Sequence, residues 1–216
     1  MKLAPSPLWR LVRVPAAITC AVSLARVGAE RLGWVNVQSG GAFAPLGITW
    51  LIPVVGAWLG WRLACGGEAP QRRFAWAWSL VAVLLFVGMV VSRLGGLDPL
   101  DRSEAAYATL RQNVVVIALV ALVLAFLQTR VWRRLAIALL LYGLLARLMV
   151  VAIALLCKAL GWDTHYTKFG PAGIEREFGE TVASVLISQL GVWVGFTVVL
   201  GSLAGNVAAA IQRRRA

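Results

Sequence analysis

The stretch LAIALLLYGLLARLMVVAIALLCKAL, Leu135 to Leu160, is built of Leu, Ala, Val, Ile and Met and is interrupted by Arg147 near its middle. It is too long and too apolar for a surface helix of a soluble protein. Between Leu135 and Leu156 stand thirteen Leu, Ile and Val residues, each contributing roughly −0.3 to −0.6 kcal/mol to membrane insertion, against about +2.5 to +3.5 for one central Arg. The helix is therefore expected to insert with its charge in place. At 100° per residue, Ala136, Leu140, Gly143, Arg147, Val151, Ala154 and Lys158 fall along one stripe, so small residues flank the charge on its own face. That pattern points the arginine into a bundle and away from lipid.

The rest of the chain agrees. It has 216 residues, 60% hydrophobic and 14% charged, with a mean hydropathy of +0.80, outside the usual soluble range. The reading is an all-α, polytopic membrane bundle in a single domain, 1–216, with about six spans over 8–32, 45–63, 74–92, 112–130, 135–160 and 181–209. The longest outer loop is 161–180. A net charge of +12 raises nucleic acid as a partner, but the basic residues sit in short groups between apolar runs and form no binding face. The lipid bilayer is the expected partner, and nucleic acid is not.

Those basic groups set the orientation. Twelve Lys and Arg residues and one acid, Glu68, fall before span 1, between spans 2 and 3, between 4 and 5, and after 6. The opposite side carries eight basic residues and the other eight acids. By the positive-inside rule both termini are cytoplasmic, and eighteen Arg against three Lys suits the inner membrane of a bacterium with a GC-rich genome. The basic start followed by an apolar run resembles a signal peptide, but Arg26 and Glu30 stand where a cleavage site is expected, so a retained first helix is the reading. Trp9, Trp34, Trp58, Trp61, Trp76, Trp78, Trp132 and Trp162 lie near span ends, as an interfacial belt requires, with Trp50 and Trp193 deeper. Cys20, Cys65 and Cys157 are odd in number and unpaired in spacing, so neither a disulfide framework nor a metal site is expected. No cofactor signature is present.

Local signals refine the spans. Only twelve residues separate Arg13 from Arg26, so either both arginines reach opposite interfaces or Arg26 pairs with Glu30 one turn away. Pro45 suits the first turn of span 2, and Pro53 is expected to kink its interior. Gly56 and Gly60, Gly191 and Gly195, and Gly201 and Gly205 have the spacing of close helix packing, within the chain or between copies in an oligomer. Asp101 and Glu104 have the spacing of a capping box at the start of span 4.

Any working site is expected on the outer side, where the connections are longer and carry the only His. Arg147, a non-titrating cation suited to recognising a carboxylate or phosphate, leads the ligand-binding candidates, with Lys158, Gln189, Arg26, Glu30 and Arg93. Bonding to Gln189 or Asn113 as a structural lock is the alternative for Arg147. Asp163, His165 and Glu180 are the outer-loop candidates for acid–base chemistry; with one His and no neighbouring Cys, no metal site is expected. Ser184 and Ser188 are read as bonding to their own helix rather than as nucleophiles. Three functions remain open: binding or transport of a small or lipid-like anion, an enzyme acting on a lipid-linked substrate, and an assembly subunit.

Overall fold

The computed structural model of the protein describes residues 7–37, 46–98, 101–168 and 177–215; among these all regular structure is helical and none is strand. The helices are α1 Leu8–Arg31, α2 Leu51–Cys65, α3 Ala75–Leu94, α4 Glu104–Ala159, α5 Phe178–Leu186 and α6 Val194–Arg215. A 3₁₀ turn, His165–Thr167, follows α4, and a π-helical segment, Ile187–Trp193, joins α5 to α6 without a break. Four stretches are long and apolar enough to cross a membrane: Leu8–Arg31, Ala75–Leu94, Glu104–Ala159 and Phe178–Arg214. Large apolar side chains such as Leu84, Leu85, Val91, Leu119, Val123 and Phe126 stand exposed on the outer faces of α3 and α4, a contiguous apolar surface that suits lipid and not water.

The connection expected at 131–134 is compressed into one residue. Trp132 leaves the helical region (φ −149°, ψ 92°) and the helix resumes immediately. The chain nevertheless reverses there. Ala118 and Ala121 face Gly191 and Gly195, so the first arm of α4, 104–131, runs alongside the last helix in the same direction. Gly143, Leu139 and Leu135 face Thr197, Gly201 and Gly205, so the second arm, 133–159, runs against it. A break in a helix frees backbone groups that need partners, and Gln71 supplies them. Its N–H donates to the Val131 carbonyl at 2.9 Å, and its Oε1 accepts from the Arg133 N–H at 3.0 Å.

Small residues let the helices approach. Gly56 meets Gly201 and Gly60 meets Gly205 backbone to backbone; a Cβ on Gly205 would lie 2.7 Å from the Gly56 carbonyl oxygen. The close packing expected of these spacings is thus made inside the chain, and Gly191 and Gly195 are similarly taken up by Ala118 and Ala121. Around this seam Leu59, Leu135, Leu139, Tyr142, Val198 and Val199 form the core. α1 lies along the second arm of α4, with Thr19 Oγ1 2.9 Å from the Tyr142 hydroxyl and Val27 against Ile153 and Cys157. α3 runs against α6, where Phe86 stacks on Phe196 with centroids 5.1 Å apart. The start of α1 and the end of α6 therefore lie at the same end of the bundle.

Several expectations are corrected. α2 begins at Leu51, not at position 45, and its 15 residues rise only about 22 Å, short of a roughly 30 Å apolar core. Pro53 consequently sits in the first turn, where its missing N–H has no helical partner to lose, and produces no kink. Pro45 lies outside the described residues. Trp132 is buried in the core rather than placed in an interfacial belt, and Trp50 is exposed at the start of α2. Ser103, not Asp101, caps α4: its side chain accepts from the Ala106 N–H at 3.1 Å, the arrangement that satisfies an orphan donor. Asp101 instead accepts from the Ser103 N–H at 2.8 Å, a bond that holds its carboxyl below the ordinary value.

A cationic cavity at the less basic end

Between the second arm of α4, the π-helical segment and the 3₁₀ turn lies a cavity of about 710 Å³, the size of sites that hold a drug-sized ligand. Its walls are mixed. Apolar area comes from Leu46, Ile48, Val114, Val150, Val185 and Ile187, and polar groups from Tyr107, Ser184, Ser188 and Gln189. Arg26, Arg111, Arg147 and Lys168 all line it, and among the described residues no Asp or Glu does.

Two of the four cations are neutralised. Lys168 holds Asp163 at 2.6 Å, and Arg26 Nε donates to Glu30 Oε1 at 2.8 Å, the second of the two arrangements that the sequence left open. Arg26 and Glu30 are 2% and 6% exposed; such a pair persists out of water only with further bonds. His165 supplies them: its backbone N–H donates to Glu30 Oε2 at 3.1 Å, and Nδ1 lies 2.5 Å from Glu30 Oε1. Nδ1 also lies 3.0 Å from Arg26 Nε, so Arg26, Glu30 and His165 form one buried cluster.

Arg147 is not neutralised. It is 5% exposed, and among the described residues no carboxylate lies within 4.0 Å of it. Its Nη1 donates to Gln189 Oε1 at a long 3.4 Å, and the guanidinium stands over the Trp193 ring, 4.7 Å from the centroid. Its Nε has no partner. A buried charged donor left unsatisfied is costly. Gln189 and Trp193 both belong to the π-helical segment, a local widening that recurs at functional sites. One turn before Arg147, Gly143 faces the Thr197 and Val194 side chains.

The cavity brings together Arg147, Gln189, Arg26 and His165. Glu30 stands behind Arg26 and His165. Lys158 is half-buried and off the lining, Arg93 is exposed, and Glu180 is exposed in the first turn of α5. Asp163 pairs with Lys168, whereas His165 pairs with Glu30. Asn113 donates to the Arg93 carbonyl at 2.8 Å and so does not serve Arg147. Residues 169–176 of the outer loop lie outside the described residues. The sequence reading missed Trp193, Arg111, Tyr107 and Tyr166 as lining groups. Trp193 carried the one available signal, since it lies far from any span end and four residues from Gln189. Tyr107 and Ser184 share a hydrogen bond of 3.0 Å across the rim. Burial pushes the Tyr166 phenol up to about 12, and its hydroxyl points to the Ser23 carbonyl at 3.5 Å.

Comparison with family models, with characterised proteins and with solved structures finds no match. The functional reading therefore rests on the cavity itself.

Proposed function

We propose that the chain is a six-crossing protein of a bacterial inner membrane, with both termini on the cytoplasmic side, that binds an anionic, partly apolar ligand in this outward-facing cavity. The observation that carries the reading is the buried Arg147 guanidinium with no carboxylate partner and an unsatisfied Nε. A phosphate or carboxylate would take the Nε and Nη donors together, as a planar guanidinium favours. An acyl or prenyl chain would lie along Val114, Val150 and Ile187. The alternating helix directions and the basic residues gathered at one end support the threading. The close packing of Gly56 with Gly201 and of Gly60 with Gly205 favours binding over passage, since transport would require that seam to open.

The test is titration of detergent-purified protein with dodecyl phosphate, dodecanoate and dodecanol, comparing wild type with Arg147→Met. Binding of the two anions but not the alcohol, lost in the variant at equal folded yield, is the expected result. Equal binding of all three ligands, or no effect of the substitution, overturns it.

A second reading follows from Glu30 and His165. A carboxylate that orients a cavity-lining imidazole is the arrangement of a general base, which suits an enzyme acting on a lipid-linked anion held by Arg147. Under it, His165→Gln retains the co-purifying ligand but accumulates it unconverted; identical product in both proteins removes this reading.

A further inference from the structure

At the opposite end of the bundle, a separate cleft of about 260 Å³ lies between the start of α3 and the last turns of α6. Arg72, Arg73 and Arg213 line it together with Trp76 and Asn206. Among the described residues none of these three arginines has a carboxylate within 4.0 Å; Glu68 is held by Arg134 at 2.6 Å. The α3 N-terminus beside them has no side-chain cap, and Phe74 precedes it in the left-handed region (φ 55°, ψ 41°), a conformation that a non-glycine residue adopts only under constraint. Uncapped N–H groups at a helix start favour an anion.

Asn206 adds a second, independent mark. It is buried, and its Nδ2 donates to Ser79 Oγ at 2.9 Å, while Ser79 Oγ donates to Gln128 Oε1 at 2.7 Å. In this network Asn206 Oδ1 is buried with no donor to accept from. A ligand suited to the cleft thus presents both an anion to the arginines and a hydroxyl or N–H to Oδ1.

We propose that this cleft seats the phosphodiester of an anionic phospholipid whose head group carries a hydroxyl, with the phosphate on Arg72, Arg73 and Arg213 and the hydroxyl on Asn206. Trp76, 43% exposed, stands beside it as an interfacial anchor for the glycerol and upper acyl region. The site is independent of the larger cavity and does not rest on the ligand assigned there.

Native mass spectrometry of the full chain in mild detergent tests this with phosphatidylglycerol, phosphatidylmethanol and phosphatidylcholine of matched acyl chains, and with soluble glycerol phosphate. Phosphatidylglycerol is expected to bind tightest, several-fold above phosphatidylmethanol, which lacks the hydroxyl. Arg72→Gln with Arg213→Gln is expected to weaken it on the order of tenfold, while the charge-matched pair Arg133→Gln with Arg214→Gln leaves it unchanged. Equal loss in both double variants reduces the effect to diffuse charge and overturns the site. Equal affinity for phosphatidylglycerol and phosphatidylcholine overturns it as well. Displacement by millimolar glycerol phosphate assigns the cleft to a soluble phosphate ester and overturns the lipid as its occupant, and equal binding of phosphatidylmethanol overturns the role of Asn206.

Discussion

The Arg147 guanidinium lies 4.7 Å above the Trp193 ring, and this is the closest thing to a counter-charge that the described residues offer it. A π face compensates a desolvated cation only in part, by about 2 kcal/mol. Arg147→Met keeps the volume and removes the charge, so it is expected to leave unfolding stability within about 1 kcal/mol of wild type or to raise it. A structural lock behaves oppositely: loss of the Gln189 bond would lower stability, which an unfolding titration in mixed micelles reads directly.

Glu30→Gln is expected to be among the most destabilising single changes, by about 3 to 5 kcal/mol, since it takes the carboxylate out of a buried cluster with Arg26 and His165. Replacing both partners with Leu and Met should cost less than Glu30→Gln alone. A double-mutant cycle on the same unfolding assay measures the coupling; simple additivity would show that the pair is not compensating itself.

Gly60→Ala and Gly205→Ala place a methyl against facing backbone that has no room to yield, and each is expected to cost about 1 to 3 kcal/mol. Gly88→Ala, where a Cβ meets nothing within 4 Å, is the matched control and should be neutral or stabilising by about 1 kcal/mol. Thermal unfolding monitored by circular dichroism separates the three.

Tyr166 keeps its proton in the folded state up to about 12, whereas an unfolded phenol ionises near 10. A raised folded value means the contribution is complete below about pH 10 and is lost as the pH rises from there to about 12. Tyr166→Phe should flatten the fall in stability across that window, read by unfolding titrations at a series of alkaline pH values.

Cys65 is exposed at the basic end, whereas Cys157 is buried. On the proposed threading, a membrane-impermeant maleimide should label Cys65 in inverted vesicles and not in intact cells. Labelling from outside would reverse the threading.

The features readable from the sequence were those carried by neighbours along the chain. Apolar runs marked the helices, glycines four apart marked the close approaches, and the spacing of Arg26 and Glu30 offered an ion pair as one of two arrangements. Arg147 stood out because a charge in such a run needs a reason. What escaped depended on distant partners. Glu30 and His165 lie 135 residues apart, and no local pattern joins them. The onset of α2 at Leu51 and the π-helical turn beneath Trp193 are settled by packing, since the hydrophobic pattern continues smoothly through both. The sequence reading also allotted four residues to a connection that packing compresses into Trp132, because burying that indole in the core removes the need for a loop.

That compression has a geometric result. With one residue between the arms and Gln71 fastening its two sides, no slack separates the turn from the helix that carries Arg147. Fifteen residues of continuous helix, about 22 Å, connect Trp132 to Arg147. A residue inserted at the turn would advance the arginine by about 1.5 Å and swing it about 100° around the axis, off Trp193 and out of the cavity. The turn at the basic end is therefore the datum from which the position of the charge at the other end is measured.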